Sequence, residues 1–239
     1  MFMFLAIAAA HADELPAMTN NAGNEIRWRA MPLVYKIDAA NDAGIAPDRA
    51  LASIRAAATP WSDVPESSIE FEYGGEVSGV RAGHDDTNAV LFAGNWDLDP
   101  DLLAVTSVWS TEDGTAVSFD MQINTMDHEW SADGADNAAD LQNALAHEFG
   151  HALGIGHLDK SPDATMYPSA PDGETLKRDL SEDDQWVALN FYPEGGLAPL
   201  EEEGQFAVCG VASPMSAAAW IGGLLATATL ARRRARGEA

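Results

Sequence analysis

Residues 147–157 read HEFGHALGIGH, and this stretch decides both the fold and the chemistry expected of the chain. Its first two histidines, His147 and His151, are four positions apart, so on a helix they share one face, one turn apart. Gly154 then lets the chain leave the helix, because glycine adopts the required turn without strain. The chain doubles back, and His157 can add a third imidazole nitrogen. The spacing therefore predicts a site that holds one metal ion.

The ligand set indicates the kind of metal site. Three neutral imidazoles leave a fourth position open for water, which is typical of a catalytic zinc ion, whereas closed structural sites fill all four positions. Glu148 lies in a neighbouring sector of the helix, where its carboxylate could take a proton from that water. A bare H-E-x-x-H also arises by chance on helix surfaces, but Gly154 and His157 at fixed offsets argue against chance here.

The composition and charge of the chain exclude several classes of function and of metal site. The chain has 239 residues, of which 46% are hydrophobic, so it can bury a core and is not disordered overall. It carries 38 Asp and Glu against 13 Lys and Arg, a formal charge of -25, and such a surface repels the phosphates of nucleic acids. Cys209 is the only cysteine, which excludes a disulfide framework and a cysteine metal site. Histidine and carboxylate side chains must therefore hold any metal.

The N-terminus is predicted to be a secretory signal peptide. Residues 1–12 are almost wholly apolar and end in Ala10-His11-Ala12, an A-x-A cleavage pattern. The segment is short and lacks a basic start, which a start codon assigned too late would explain; a buried N-terminal strand or helix is the alternative. Residues 13–30 are then an N-terminal extension that precedes the domain.

The C-terminus predicts attachment to a membrane. Residues 194–210 lack periodicity and are interpreted as a linker because the segment is rich in Gly, Pro and Glu. Residues 211–231 carry no charge and, at roughly 1.5 Å per residue, would span about 30 Å of hydrocarbon as a transmembrane helix. The tail 232–239 contains four arginines, which places that end in the cytoplasm. A soluble C-terminal helix is the alternative, and the abrupt arginine cluster argues against it.

The body between these ends is predicted to be one mixed α/β domain, residues 31–193. Five segments have the composition of strands, and three have the spacing or the capping residues of helices. Asn137 and Asp140 form a predicted capping box for the helix with the metal motif, and Ser181 is predicted to cap the last helix. The predicted strands are 31–38, 69–73, 89–93, 103–110 and 117–124, and the predicted helices are 46–61, 137–153 and 181–190.

With these motifs the chain resembles the matrixins, a family of metzincin zinc peptidases that includes the matrix metalloproteinases and bacterial relatives. Residues 164–168 (ATMYP) are similar to the methionine turn that follows the zinc motif in that family. Residues 180–184 (LSEDD), at the start of the last helix, are also similar. The resemblance spans residues 33–193. It implies a twisted five-stranded sheet with three helices and an active-site cleft between the sheet edge and the methionine turn.

Carried over residue by residue, the resemblance implies three zinc ligands, a general base, a floor beneath the metal and a pocket wall. By this resemblance, His147, His151 and His157 bind one catalytic Zn2+, and Glu148 is the general base. Met166 forms the floor beneath the metal, and Tyr167 with Pro168 forms the pocket wall. Two departures from the family pattern concern the substrate side of the site. Leu158 stands where matrixins usually have Ser, and Ala170 replaces the tyrosine of the pocket wall. The substrate preference of the family therefore does not transfer to this chain.

The end of the chain resembles the C-terminal sorting signals of myxobacterial surface proteins. Cys209-Gly210 precedes the apolar span and the arginine tail, and the similarity covers about 30 residues. The resemblance implies that the tail is processed near Cys209 and that the mature protein lies at the cell surface.

Together these features predict a secreted, extracellular zinc metalloendopeptidase that acts on protein or peptide substrates, with no nucleic-acid partner. A substrate peptide is expected to lie extended beside an exposed edge strand, residues 103–108, and to pair with it through main-chain hydrogen bonds. The alternative is a surface-anchored, zinc-containing binding or adhesion module with little turnover, against which the intact Glu148 argues. The acidic surface is compatible with Ca2+, although the alternating Asp97, Asp99 and Asp101 lack the Gly and Glu of an EF-hand.

Overall fold

The computed structural model describes residues 15–38, 40–196 and 204–212. The predicted signal peptide, residues 1–12, lies outside the described residues. So do residues 213–239, which include most of the predicted transmembrane segment and the whole basic tail. The described residues contain no helix with the length and hydrophobicity that a membrane span requires.

A mixed six-stranded sheet forms the body of the domain. Five of its strands coincide with the predicted ones to within a few residues at their ends, and the sixth comes from the C-terminal segment. The main sheet contains β1 Leu33–Asp38, β2 Phe71–Val77, β3 Ala89–Ala93, β4 Leu102–Thr111, β5 Ala116–Asn124 and β8 Gly204–Ala212. Two short strands, β6 Trp130–Ser131 and β7 Ala139–Asp140, pair with each other outside it.

The order of the strands places β4 near one edge of the sheet. The order is β2-β1-β3-β5-β4-β8. β1 runs parallel to β2 and β3, and β3 runs parallel to β5, whereas β4 is antiparallel to both of its neighbours. Without β8, β4 would therefore be an edge strand, as we expected for residues 103–108.

Among the described residues, three helices accompany the sheet, as predicted: α1 Pro47–Ser62, α2 Leu141–Ala152 and α3 Glu182–Phe191. α1 has a proline in its first turn, where the missing N–H has no helical partner to lose. α3 is capped by Ser181, which confirms the predicted cap, and Asp184 completes a capping box with it. A 3-10 turn at Leu176–Arg178 lies between α2 and α3.

The helix that carries the metal motif begins later than predicted. It starts at Leu141, and its N-cap is Asp140 rather than Asn137: the Asp140 carboxylate accepts the backbone N–H of Asn143 at 2.9 Å. Residues 139–140 are held extended because they pair with β6, so the helix cannot start before them. The Asp140 carboxylate also binds the guanidinium of Arg178, whose Nε is 2.8 Å from Oδ1, and this pair ties the helix to the 3-10 turn.

α2 lies in the centre of the core. Tyr35 of β1 and Phe71 of β2 pack edge-to-face on Phe149 of α2, with ring centroids 5.1 and 4.9 Å apart. Such pairs contribute about 0.5–1.5 kcal/mol each beyond their buried area. Trp61 of α1 is fully buried and donates its indole N–H to Ala146 O of α2 at 2.8 Å. The metal-motif helix is therefore held between α1 and the sheet, which fixes the direction of its side chains.

The folded unit begins before residue 31, which corrects the predicted start of the domain. Within residues 15–30, Ile26 is fully buried and Trp28 is 9% exposed, and both belong to the main core. Trp28 Nε1 donates to Ala152 O at 2.6 Å, and the Met18 N–H donates to the carbonyl of Gly154 at 2.8 Å. The segment pairs through isolated bridges instead of a strand, so its sequence carries no periodic pattern that would have predicted it.

The strand β8 corrects the assignment of residues 204–212 to a linker and to the start of an apolar helix. It pairs antiparallel with β4, from Thr111 opposite Gly204 to Leu102 opposite Ala212. An uncovered edge strand presents a row of unpaired N–H and C=O groups, which is the physical reason why a segment without strand periodicity becomes a strand here. The edge strand that we expected to be exposed is therefore paired.

The contact between Trp28 and the end of α2 gives a test of the new domain boundary. Trp28→Phe removes the indole N–H and leaves the Ala152 carbonyl without this donor, so the free energy of unfolding should fall by about 1–3 kcal/mol. Chemical denaturation followed by circular dichroism measures the change. The matched control is Trp96→Phe, because Trp96 is buried to the same extent, at 8% exposure, but bonds Asp99 O only three residues further along the chain. We expect a smaller loss for the control, and an unchanged Trp28→Phe variant would contradict the boundary.

Candidate metal centre

Three histidine side chains meet at one place in the structure. His147 and His151 lie on one face of α2, and His157 returns to them from the loop after the helix. One ring nitrogen of each histidine lies within 4.8 Å of those of the other two. Nε2 of His151 is 3.2 Å from Nε2 of His157. The structure thus brings together the three residues that the spacing singled out.

Backbone carbonyls orient two of the three rings. Nδ1 of His147 is 2.7 Å from Thr165 O, and Nδ1 of His151 is 2.7 Å from Ile155 O. A carbonyl oxygen only accepts, so each Nδ1 carries the proton and each Nε2 keeps its lone pair. This arrangement of a ring N–H on a carbonyl is typical of metal-binding histidines, because it fixes both the tautomer and the ring orientation.

Burial keeps the three imidazoles neutral. His147 and His151 are 1% and 0% exposed, and the loss of hydration lowers the pKa of both well below the usual 6.5, with the neighbouring imidazoles adding to the effect. Burial also lowers the pKa of His157, although the charge of Asp159 opposes that shift. Neutral imidazole is the form that binds a metal, so the ligand set is in its binding form at neutral pH.

The donor set fits zinc. Nε2 of His147 is buried and has no hydrogen-bond partner among the described residues, so its lone pair is available to coordinate a metal ion. Three imidazole nitrogens with a fourth position left for water match a catalytic zinc site. Within the described part of the chain, the three histidines are the group of potential ligands that converges in this way, and the acidic loop 97–101 does not. Calcium binding therefore stays a prediction without structural support.

Gly154 and the N-terminal segment shape the turn after α2. Gly154 has a φ of +83°, as its place after the helix predicted, and a Cβ there would also collide with the carbonyl oxygen of Ile26. The next carbonyl along the chain, that of Ile155, is the one that orients His151. Residues 15–30 therefore help to hold the backbone that positions a ligand.

Met166 packs against the helix segment that carries the ligands. Met166 is fully buried. Its backbone N–H donates to the carboxylate of Asp184, and its carbonyl accepts the N–H of Leu158 at 2.9 Å. A Cβ on Gly150 would collide with Met166 Sδ and lie 2.7 Å from Trp61 Cζ2. Gly150, between the two helical ligands, is thus the residue that allows the methionine side chain to approach α2.

Asp184 of α3 is a supporting residue that sequence reasoning did not assign to the site. Its carboxylate is fully buried and accepts the backbone N–H groups of Thr165 at 2.7 Å and Met166 at 3.0 Å. The carbonyl of the same Thr165 orients His147. The sequence pattern of residues 180–184 predicted a helix cap, but it carried no signal that the capping aspartate also binds a loop 18 residues away.

A threonine on β4 holds the carboxylate of Glu148. Both residues are fully buried. The Thr106 hydroxyl donates to Glu148 Oε2 at 2.6 Å and lies 3.1 Å from the backbone oxygen of the same residue. Sequence reasoning missed Thr106, because it lies 42 residues from Glu148 and a threonine in a strand is unexceptional. The structure therefore adds a hydroxyl from the sheet to the carboxylate expected to act as the base.

Tyr167 and Pro168, the expected pocket wall, follow Met166 in a half-buried loop. Lys177 is 3% exposed, and its side chain contacts this loop. Its Nζ donates to Ser169 O at 2.8 Å, lies 5.7 Å from the centroid of the Tyr167 ring, and pairs with the carboxylate of Glu174 at 2.7 Å. These contacts fix the backbone after the methionine turn, while the role of Tyr167 and Pro168 in binding substrate stays a prediction.

Comparison with known proteins agrees with this geometry. The family model described as Matrixin matches residues 27–193, which is well over half of the chain. Matrilysin of Homo sapiens is 37% identical over 71 residues, which are 30% of this chain and 26% of that protein. The alignment therefore covers about a quarter of the length of this relative. The family match includes α1, α2, α3, the three histidines and residues 164–168, and the chain belongs to the matrixin family.

Proposed function

We propose that the chain is a zinc-dependent endopeptidase that hydrolyses peptide bonds in extracellular proteins. The observation that carries the proposal is the convergence of three neutral imidazoles, together with the buried Glu148, which directly follows His147 on α2. The matrixin fold around this group supports the same activity. A structural metal site would have no need for an acid next to the ligands and an open fourth position.

Each side chain of the site has a separate task in this proposal. His147, His151 and His157 hold the zinc ion, and the carbonyls at Nδ1 keep two of the rings in place. A zinc ion bound by these residues would supply a Lewis acid that lowers the pKa of water and polarises the scissile carbonyl. The carboxylate of Glu148 takes a proton from the attacking water and returns it to the leaving amine.

Thr106 positions the general base in this mechanism. Its hydroxyl bonds one carboxylate oxygen of Glu148, and both groups are excluded from bulk water. A carboxylate on a three-torsion side chain would otherwise sample several orientations, and a displacement of about 1 Å can cost a hundredfold in rate. The hydroxyl therefore restricts the base to the orientation in which it can reach the water.

The substrate is proposed to bind as an extended chain along β4. The backbone groups of β4 on the side away from β5 would pair with the main chain of the substrate. Tyr167 and Pro168, in the loop that Lys177 holds from below, would line the opposite wall of the cleft. Because Ala170 departs from the family pattern, the side-chain preference of that wall is specific to this chain.

We also propose that the protein acts outside the cell and is held at its surface. The support is the sequence pattern of the two ends: the apolar residues 1–12 with their cleavage pattern, and the uncharged span with its arginine tail. Val211 and Ala212 belong to β8, but residues 213–231 still provide 19 uncharged positions, about 28 Å as a helix. Processing near Cys209 is part of the same proposal.

Zinc dependence is the first test. The full chain should cleave casein, a zinc chelator should abolish cleavage, and added Zn2+ should restore it, because the three imidazoles supply no nucleophile themselves. Metal analysis should find about one zinc per chain. Gel zymography with and without the chelator, combined with elemental analysis, measures both quantities. A chain that holds zinc and cleaves no peptide in a broad peptide library would favour the binding-module alternative.

Glu148→Gln tests the base. The variant keeps the size of the side chain and an acceptor for Thr106 but cannot take up a proton, so kcat should fall about a hundred- to ten-thousandfold while zinc content stays the same. Steady-state kinetics on a fluorogenic peptide and metal analysis provide the measurement. Glu70→Gln is the matched control, since Glu70 is exposed and contributes no group to the metal site, and its kcat should not change. Loss of zinc from Glu148→Gln would instead assign that residue a structural role.

Thr106→Val tests the positioning hydroxyl. Valine keeps the shape of threonine but cannot donate, so kcat should fall about 10- to 100-fold with little change in KM or zinc content. Thr106→Ser is the matched control, because it restores the hydroxyl, and its kcat should recover most of the loss. If valine and serine variants had equal kcat, or if the loss appeared in KM alone, Thr106 would not position the base.

A further inference from the structure

The C-terminal segment of this chain occupies the edge at which a substrate is expected to bind. β8 pairs antiparallel with β4 along its whole length, with Gly204 opposite Thr111 and Ala212 opposite Leu102. β4 has β5 on its other side, so β8 takes the hydrogen-bonding groups that would otherwise be unpaired. A backbone N–H or C=O that bonds β8 cannot bond a substrate at the same time.

The paired edge also includes the part of β4 that bonds the carboxylate of Glu148. Cys209 of β8 lies opposite Thr106 of β4 in the register, and the Thr106 side chain bonds Glu148. β8 therefore does not cover a remote part of the edge; it runs along the part of β4 that is joined to the metal-motif helix. A peptide bond presented to Glu148 and the three histidines would have to lie along the same stretch.

We propose that residues 204–212 act as an intramolecular competitor of the substrate, so that β8 must leave β4 before a peptide can be cleaved. This inference rests on the proposed peptidase function and names the segment that regulates access to its site. The occupant is part of the same chain, and its release is therefore an equilibrium between a closed edge and an open edge. A substrate binds to the fraction of molecules in which the edge is open.

The tether sets the strength of this competition. Only seven residues of sequence separate Gly196 from Gly204, and a separation this short corresponds to an effective concentration in the millimolar range. An isolated strand segment that bound β4 with a Kd of about 0.1 mM would then leave the edge open about one tenth of the time. Removal of the pairing should raise kcat/KM about tenfold through a lower apparent KM, with kcat unchanged.

A double proline variant of the full chain tests the competition. The N–H groups of successive strand residues point to opposite sides, so one of the two at Ala207 and Val208 must face β4. Ala207→Pro with Val208→Pro removes it and should raise kcat/KM about tenfold on a fluorogenic peptide. Ala207→Ser with Val208→Thr is the matched control, because it changes the same side chains but keeps both N–H groups, and it should match the parent.

Amide hydrogen exchange on the same three full-length proteins separates this inference from the proposed function. The amides of β4 that do not face β5 should be protected in the parent and the control and should exchange faster in the proline variant. Equal protection in all three proteins would overturn the pairing, and faster exchange with unchanged kcat/KM would overturn the competition. If none of the proteins cleaves peptides while exchange still differs, the peptidase proposal fails and the competition fails with it, but the pairing of β8 stands.

Discussion

The structure depends on one requirement: three imidazoles, two of them buried and one half-buried, must direct a nitrogen at the same point. Burial makes them neutral but does not orient them, because an imidazole can still turn about its two side-chain torsions. Hydrogen bonds from Nδ1 to the carbonyls of Thr165 and Ile155, both at 2.7 Å, remove that freedom for His147 and His151. Both carbonyls belong to the chain after α2, so the loop that follows the helix must be as rigid as the helix itself.

Distant parts of the chain provide that rigidity. The carboxylate of Asp184 on α3 binds two amides of the methionine turn, and the N-terminal segment 15–30 packs on the turn at Gly154. Each of these contacts gives a backbone amide or carbonyl of the loop a buried hydrogen-bond partner. Breaking such a hydrogen bond costs free energy. The metal centre is therefore built by α2 together with both ends of the folded domain.

The side chains and the backbone of β4 make separate contacts that do not interfere with each other. In a strand, side chains stand perpendicular to the sheet while the backbone groups lie in its plane. Thr106 can therefore direct its hydroxyl to Glu148 on α2 while the backbone of the same strand pairs with β8. This geometry allows one strand to hold the Glu148 carboxylate and to bind an extended chain. It also explains why the bond between Thr106 and Glu148 forms while β8 occupies the edge.

The sequence by itself determined the features that depend on near neighbours. The i, i+4 spacing within residues 147–157, the left-handed turn at Gly154 and the cap at Ser181 follow from helix geometry alone. The motifs around them indicated the family, and the composition of five segments predicted five of the strands. Only the tertiary structure decided that Thr106 bonds Glu148 and that residues 204–212 complete the sheet. The physical reason is that such contacts join segments far apart in the chain, and neither partner needs a local pattern in order to make them.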